Sequence, residues 1–216
     1  MPLRILVVDD HAVVRRGVRS LLESHEGWEV CGEATTGRDA VEQSRQLRPD
    51  VVVMDLSLPE LNGLDATRQI LKDGPGIEVL VLTMHHSEEL AGDVLRAGAR
   101  GYIMKSDADE NLITAVDTLR QHKPFLTSAI TGFVLDDFIR RGDNPQADFS
   151  PAGVTARERE IIQLVAEGAS NKDAASSLGI SVKTVEAHRA NIMRKLQLRS
   201  VSDLVRYAIR NKIVQP

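Results

Sequence analysis

The chain lacks the cysteine pairs of disulfide-rich secreted domains and the long apolar runs of membrane proteins. Its 216 residues contain one cysteine, Cys31, so no disulfide bond can form within the chain, which fits a reducing compartment. No apolar run approaches the roughly 18 residues of a membrane-spanning helix, and the apolar run in the opening MPLRILVVDD is too short for a signal peptide. Aromatic residues make up 3% of the chain, so aliphatic residues must fill its core. We therefore expect a cytoplasmic protein that does not contact a membrane.

The charge of the chain is unevenly distributed. From Ser150 onward there are 11 Lys and Arg against 6 Asp and Glu, a net charge of +5, whereas the preceding part has 16 against 25, or −9. An acidic body followed by a basic segment indicates two domains with different partners, and nucleic acid is one candidate partner for the second. A difference of this size also arises by chance, so the charge alone decides nothing.

Apolar runs alternate with helical patterns five times before Gln121. The apolar runs are Ile5–Val8, Val30–Ala34, Val51–Met54, Val79–Leu82 and Gly101–Met104. The helical patterns are His11–Ser24, Arg38–Leu47, Leu64–Asp73, Glu88–Ala97 and Asp107–Gln121. Strands that alternate with helices predict a parallel sheet covered by helices on both faces, the doubly wound α/β fold.

The pattern changes after Gln121, and we assign residues 122–151 to a linker region. Ser128 to Arg140 carries apolar side chains at helical spacing, which predicts a short amphipathic helix. Arg141 to Gly153, RGDNPQADFSPAG, is rich in residues that interrupt helices and strands, which is typical of a flexible linker.

Residues 152–216 are predicted to form a small all-α domain. Four helices are expected, near 156–167, 171–178, 182–197 and 201–211. Three pairs have the spacing of a capping box and mark helix starts: Thr155 with Glu158, Ser170 with Asp173, and Ser200 with Asp203. Only Gly179 to Ser181 separates the second and third helices, which is the spacing of a helix-turn-helix motif.

Carboxylates end two of the predicted strands. Asp9 and Asp10 end the first strand and Asp55 ends the third, and they lie together if these strands are neighbours in a parallel sheet. Three close carboxylates repel one another, so either one holds a proton or a cation lies among them. Oxygen ligands at an accessible site suit Mg²⁺. The alternative is a solvated acidic edge without a bound ion.

Two further strand ends favour a functional pocket. The fourth strand ends at Thr83 and the fifth at Lys105, so a hydroxyl and an ammonium face the same edge of the sheet. Both groups donate hydrogen bonds, and the charge of the lysine suits a phosphoryl group. A cation, a lysine, a hydroxyl and a nucleophilic carboxylate together predict phosphoryl transfer to Asp55.

These residues resemble a response-regulator receiver domain over positions 3–121. The resemblance rests on the paired acids after the first strand, the D-x-x-x-P-x-x-x-G spacing from Asp55 to Gly63, and the Thr and Lys at the later strand ends. It implies a five-stranded sheet in the flavodoxin-like order 2-1-3-4-5. It also implies that Asp55 is the phosphoacceptor, with a sensor histidine kinase or a small acyl phosphate as donor, and that the domain assists the later hydrolysis.

The resemblance also assigns roles to the other pocket residues. The ligands of Mg²⁺ would be Asp10, Asp55 and the backbone carbonyl of Ser57, with Asp9 acting through water. Thr83 and Lys105 would bind phosphoryl oxygens. Tyr102 occupies the aromatic switch position, where the ring turns inward behind Thr83; the alternative is a half-buried strand tyrosine.

The third helix of the C-terminal domain has one apolar side and one exposed side at 100° per residue. The apolar side consists of Val185, Ile192 and Leu196. The opposite side consists of Lys183, Ala187, Ala190 and Arg194, flanked by Glu186 and Asn191. Small residues at the centre and basic residues at the ends favour a recognition helix in the major groove of DNA. An ordinary surface helix of mixed charge is the alternative.

This domain resembles the NarL/LuxR-type DNA-binding domains. The resemblance rests on T-x-R-E from Thr155, G-x-S-N-K from Gly168, S-x-K-T-V from Ser181 and H-x-x-x-I-x-x-K-L from His188. It implies phosphate contacts from Ser170, Asn171, Lys172, Lys183, Thr184 and Arg194, and base-facing positions at Glu186, Ala187 and Ala190. It also implies DNA contacts from His188 and Arg189, although the helical wheel places these two nearer the core.

Together the patterns predict a two-domain transcription factor switched by phosphorylation, and the two resemblances imply a two-component response regulator that binds promoter DNA as a homodimer when phosphorylated. Two alternatives remain open. One is a flavodoxin-like phosphohydrolase acting on an external substrate through Asp55, although no second acid/base pair or cap domain is apparent. The other is an interaction module whose C-terminal helices bind protein and whose receiver is not phosphorylated.

Overall fold

A computed structural model describes residues 2–84, 88–127, 131 and 154–214, with 88 and 89 described by their backbone alone. The chain divides into two compact units, one α/β and one helical. The predicted amphipathic helix at 128–140, apart from Thr131, and the predicted linker at 141–153 lie outside the described residues. Within those ranges, no helix has both the length and the apolar character needed to cross a bilayer.

Six parallel strands form the sheet of the α/β unit. They are β1 (Leu3–Val8), β2 (Trp28–Ala34), β3 (Val51–Asp55), β4 (Glu78–Thr83), β5 (Gly101–Met104) and β6 (Phe125–Leu126). Their order is β2-β1-β3-β4-β5-β6, so the five predicted strands and their order are confirmed. The sixth strand, which pairs with Gly101 and Tyr102, was not predicted, because two residues are too few to show the pattern of a strand.

Five helices and one short turn connect these strands. The helices are α1 (Ala12–Glu23), α2 (Gly37–Leu47), α3 (Gly63–Asp73), α4 (Glu88–Arg96) and α5 (Ala108–Arg120), and a 3₁₀ turn spans Lys105–Asp107. Buried residues of α1 and α5 form one core with alternate residues of the central strands. Helices α2 and α3 contact each other and strands β1 to β3. Because successive strand residues point to opposite faces, β3 is apolar at every position before Asp55 and buried throughout.

The register of the strands brings their carboxyl ends to one edge of the sheet. Val8 pairs with Met54, so the residues that follow them, Asp9 and Asp55, are neighbours. Strand β1 lies between β2 and β3, which is the point where the strand order reverses and where doubly wound folds place their ligand sites. On the other side of β3, the end of β4 follows directly, since Asp55 pairs with Leu82.

Four helices form the C-terminal unit over residues 154–214, as predicted. They are α6 (Ala156–Ala166), α7 (Asn171–Leu178), α8 (Val182–Lys195) and α9 (Val201–Arg210). Complete capping boxes start α6 and α7. At α9 half of the capping box forms, since the Ser200 side chain accepts the N–H of Asp203 at 3.1 Å. The other half does not, because the Asp203 carboxylate accepts the backbone N–H of Arg199 at 3.3 Å instead of that of Ser200.

The turn between α7 and α8 depends on a glycine. Gly179 ends α7 with φ of 63°, a left-handed conformation that costs residues with a Cβ more than it costs glycine. Ser181 then caps α8 by accepting the N–H of Thr184 at 3.1 Å. The side of α8 that contains Val185 and Ile192 is buried with Leu204 of α9, which completes the core of this unit.

Candidate functional site

Lys105 connects two buried carboxylates at the carboxyl edge of the sheet. Its Nζ lies 2.8 Å from Oδ2 of Asp9 and 2.9 Å from Oδ2 of Asp55. The carboxylates are each 2% exposed and the lysine side chain is 7% exposed. These residues come from the ends of β1, β3 and β5, so the structure brings them together as the sequence predicts.

The loop after β3 holds Asp55 in place. The backbone N–H of Leu56 donates to Oδ1 of Asp55 at 2.8 Å, and the N–H of Gly63 donates to the carbonyl of Leu56 at 3.0 Å. A Cβ on Gly63 would lie 1.9 Å from the backbone oxygen of Asp55. Glycine is therefore required here because two backbone segments approach too closely for a side chain.

The charges of the pocket are not balanced among the protein groups themselves. Burial raises the pKa of Asp55, and the hydrogen bond from Lys105 only partly offsets this. Burial alone would lower the pKa of Lys105, but its hydrogen bonds to Asp9 and Asp55 outweigh burial and raise it. One ammonium is thus shared by two buried carboxylates, which leaves an excess of negative charge.

The pocket fits a divalent cation. Ligand atoms of Asp9, Asp10, His11 and Asp55 all lie within 4.8 Å of one another. Oδ2 of Asp9 is buried and shares the Lys105 ammonium, 2.8 Å away, with Oδ2 of Asp55. Carboxylate oxygens with uncompensated charge are the ligands that Mg²⁺ prefers. The donor set therefore suits the ion that the sequence predicts.

His11 and Ser57 complete the surroundings of the acids. Sequence reasoning gave His11 no role, because no spacing pattern connects it with the pocket. Its Nδ1 lies 2.6 Å from Oδ1 of Asp10, and its backbone N–H donates to Oδ1 of Asp9 at 2.8 Å. A backbone hydrogen bond from Ser57 lowers the pKa of Asp55, although burial, which raises it, is the larger effect.

Thr83 and Tyr102 lie on the neighbouring strands. Thr83 ends β4, is fully buried and pairs with Met104 of β5. Tyr102 is 1% exposed, so its side chain is buried rather than half-buried. Tyr102 pairs with Val81 on one side and Leu126 of β6 on the other, which connects the predicted switch position with the strand that follows α5.

The outer side of α8 has the exposure that the helical wheel predicts. Its exposed residues are Lys183, Thr184, Glu186, Ala187, Ala190, Asn191 and Arg194. Ser170 and Lys172 at the start of α7 are also exposed, and Asn171 between them is partly exposed. His188 and Arg189 are partly buried, in agreement with their position on the wheel.

Two hydrogen bonds organise this surface. Arg189 donates to Oδ1 of Asn171, which ties the start of α7 to the middle of α8. Arg194 donates to Oδ1 of Asn191 at 2.9 Å, one turn earlier on α8. The surface therefore presents two small alanines between basic ends, and Glu186 is the acidic residue beside them.

Both units of the chain match known protein families. Residues 5–117 match the response regulator receiver domain. Residues 152–208 match the luxR family of bacterial regulatory proteins. The chain belongs to the LuxR-type response regulators of two-component systems.

This response regulator is similar to several named proteins and solved structures along most of its length. The oxygen regulatory protein NreC of Staphylococcus epidermidis is 40% identical over 217 residues, covering 99% of this chain and 100% of that protein. A LuxR-family response regulator from Aurantimonas sp. SI85-9A1 has a TM-score of 0.60 at 34% identity, covering 64% of this chain and 99% of that one. The RcsB–DNA complex has a TM-score of 0.59 at 25% identity, covering 96% and 98%.

Membership of this family sets the broad function of the chain. It is a DNA-binding transcription regulator and not a typical metabolic enzyme. Response regulators have sensor kinases and DNA as partners, and receiver domains generally bind Mg²⁺ at an acidic pocket of the kind formed here.

Proposed function

We propose that Asp55 accepts a phosphoryl group from a sensor histidine kinase with Mg²⁺ bound, and that this switches dimerisation and promoter binding by the C-terminal helix-turn-helix. The observation that carries the proposal is the ion pairing of one lysine with the carboxylates of Asp9 and Asp55. The receiver domain spans residues 3–121, the linker 122–151 and the DNA-binding domain 152–216. The protein acts in the cytoplasm, as a homodimer when phosphorylated.

The chemistry is a displacement at phosphorus by a carboxylate. A carboxylate oxygen of Asp55 forms the new P–O bond while the P–N bond to the kinase imidazole breaks, and the imidazole nitrogen keeps that electron pair. Asp9, Asp10, Asp55 and the carbonyl of Ser57 would hold Mg²⁺, which when bound supplies positive charge to the phosphoryl oxygens.

Lys105 and Thr83 bind the transferred group. The ammonium of Lys105 already lies 2.9 Å from Asp55, so it moves little to contact a phosphoryl oxygen on that carboxylate. The Thr83 hydroxyl at the end of β4 donates a second hydrogen bond. The same contacts assist hydrolysis of the acyl phosphate, so the domain limits the lifetime of its own signal without turning over an external substrate.

Phosphorylation acts on the rest of the molecule by shifting a conformational equilibrium. Movement of Thr83 toward the phosphoryl group vacates space behind it, and the buried position of Tyr102 on the adjacent strand fits the ring-inward arrangement. Because Tyr102 pairs with Leu126, a change at this strand reaches the segment that leads out of the receiver domain.

The DNA-binding role rests on the exposed side of α8. Lys183, Thr184 and Arg194, with Ser170 to Lys172 of α7, contact phosphates, and Glu186, Ala187 and Ala190 face the bases. His188, Arg189 and Asn191 make further DNA contacts at the edges of this surface. Two alanines offer no hydrogen-bond donors to base edges, so DNA shape and the spacing of half-sites supply part of the specificity.

The substitution Asp55→Asn tests the proposal. It removes the nucleophile while keeping the shape of the side chain, so labelling by radioactive acetyl phosphate should disappear. Asp109→Asn serves as the matched control, because Asp109 is exposed at the start of α5. Full labelling of the Asp55→Asn variant would refute the assignment, and multiple turnover of a phosphate ester by the wild type would favour a phosphohydrolase.

A further inference from the structure

Arg15 contacts the backbone that carries the acidic pair. Its Nη1 donates to the backbone carbonyl of Asp9 at 2.8 Å, and its Nε donates to the carboxylate of Glu33 at 3.0 Å. The arginine side chain is 17% exposed, so it is mostly enclosed between α1 and β2. Arg15 therefore reaches the pocket through the main chain and not through a carboxylate.

The carbonyl that Arg15 binds belongs to the peptide between Asp9 and Asp10. This peptide unit is planar, so fixing its oxygen also fixes the N–H and Cα of Asp10. On the other side of Asp9, its N–H donates to the carbonyl of Ala34 at 3.1 Å. The backbone on both sides of Asp9 is thus held, and the contact with Arg15 fixes the peptide that leads into Asp10.

Arg15 is itself held by a charged network on the surface of the α/β unit. The carboxylate of Glu33 also accepts a hydrogen bond from Nη1 of Arg19 at 2.7 Å, and Nε of Arg19 donates to Glu23 at 3.0 Å. The hydrogen bond from Arg19 is the largest effect on the pKa of Glu33 and lowers it. The hydrogen bond from Arg15 lowers this pKa further, and together they outweigh burial, which raises it. Glu33 therefore stays ionised and keeps the guanidinium of Arg15 in place.

We propose that Arg15, anchored by Glu33, is a positioning residue for the cation site: it fixes the Asp9–Asp10 peptide and so pre-organises the two aspartates for a divalent cation. This deepens the proposed function and rests on its use of Mg²⁺ at the acidic pocket. Arg15 touches neither the reacting carboxylate nor the cation, and it acts through the orientation of residues that do.

The neighbouring arginine provides a matched control. Arg16 lies next to Arg15 on α1 but is exposed, so Arg15→Met and Arg16→Met remove the same charge from adjacent positions. Calorimetric titration of the full-length protein with Mg²⁺ alone should give about ten-fold weaker binding for Arg15→Met, the scale expected when a group that orients metal ligands is removed. Arg16→Met should bind Mg²⁺ as the wild type does.

A second readout separates positioning from a general loss of structure. With acetyl phosphate as donor, Arg15→Met should need about ten-fold more Mg²⁺ for half-maximal labelling, while its rate at saturating Mg²⁺ returns to that of the wild type. Arg15→Lys should recover part of the Mg²⁺ affinity, because one ammonium keeps the charge but cannot bond to Glu33 and the Asp9 carbonyl in the arginine geometry. Glu33→Gln should weaken Mg²⁺ binding in the same direction, since it loosens the anchor without altering Arg15.

The possible outcomes distinguish this inference from the proposed function. Equal Mg²⁺ affinity in Arg15→Met and Arg16→Met overturns the role of Arg15. If Arg15→Met does not fold, wild-type Mg²⁺ affinity in folded Arg15→Lys and Glu33→Gln overturns it equally. If the wild type binds Mg²⁺ but Asp55 is not labelled, the proposed function fails, while the calorimetric comparison still decides the role of Arg15.

Discussion

Lys195 of α8 donates a hydrogen bond to the carboxylate of Glu158 in α6 at 2.8 Å. The same carboxylate oxygen accepts the backbone N–H of Thr155 at 2.8 Å, so one residue both caps α6 and ties it to α8. The orientation of the proposed recognition helix within its own unit therefore depends on an ionised carboxylate.

This contact predicts how the stability of the C-terminal unit depends on pH. Burial by itself raises the pKa of Glu158, but hydrogen bonds from Lys195 and Thr155 outweigh it and hold the pKa below its usual value of 4.5. A carboxyl whose pKa is lowered by folding stabilises the fold above its unfolded pKa, and this contribution is lost as the pH falls through the folded pKa.

Glu158→Gln should therefore destabilise the unit by about 1 kcal/mol at neutral pH, and the difference from wild type should vanish in acid. Urea unfolding, followed by the NMR signals of α6 and α8, measures the free energy of unfolding of each variant at neutral and at acidic pH. Glu186→Gln is the control, because Glu186 is exposed on the outer side of α8. A difference that persists at all pH values would contradict the role of the charge.

The double substitution Lys183→Ala and Arg194→Ala should weaken binding to every DNA sequence. Both side chains are exposed on α8, and each phosphate that is no longer neutralised should reduce the slope of log affinity against log salt by about 0.9. Gel shifts at several salt concentrations measure this slope. Arg210→Ala with Lys212→Ala removes the same charge near the end of α9 and serves as the control. Unchanged affinity at moderate salt would count against α8 as the DNA-binding helix.

Gly63→Ala should disturb the acceptor residue directly. The added Cβ would overlap the backbone oxygen of Asp55, so one of the two segments must move, at a cost of about 1–3 kcal/mol. Labelling of Gly63→Ala by acetyl phosphate and its free energy of unfolding should both be lower than those of the wild type. Gly17→Ala on α1 meets nothing within 4 Å and should stabilise the helix by roughly 0.5–1 kcal/mol. Wild-type labelling and a wild-type melting temperature for Gly63→Ala would show that the loop adjusts without moving Asp55.

Replacement of Lys105 should make the stability of the α/β unit depend on Mg²⁺. Lys105→Met leaves two adjacent buried carboxylates without a counter-charge, and breaking such a pair costs about 3–5 kcal/mol. Added Mg²⁺ supplies the missing charge, so it should raise the melting temperature of this variant more than that of the wild type. Lys123→Met, at an exposed position, is the control. An equal response of the two variants to Mg²⁺ would mean that the cation does not lie beside these carboxylates.

Local signals in the sequence were sufficient to predict the position of the pocket and of the longer strands and helices, although not that of β6. The helix caps at Thr155 and Ser170 are set by residues three positions apart, and both occur as predicted. The pocket was predictable because parallel strands end at one edge of a sheet, so a polar residue after each apolar run must lie near the others. Asp9, Asp55 and Lys105 each follow such a run and do meet.

Contacts between residues far apart in the chain were not predictable in the same way. Arg15 and Glu33 meet because α1 packs against β2, and nothing in the spacing of these residues identifies the pair. Lys195 and Glu158 are separated by 37 positions and meet only through the packing of α8 on α6. Such contacts depend on tertiary geometry, which a periodic pattern does not encode.

The short strand β6 has a consequence for dissecting the molecule. The N–H of Phe125 donates to the carbonyl of Arg100 at 2.9 Å, and its side chain packs against the core shared by α1 and α5. A receiver fragment cut after Gln121 would expose the outer edge of β5 and bare apolar surface beneath the missing phenyl ring. An open strand edge beside such a surface favours self-association, so a fragment cut after Thr127 should remain monomeric at concentrations where the shorter one aggregates.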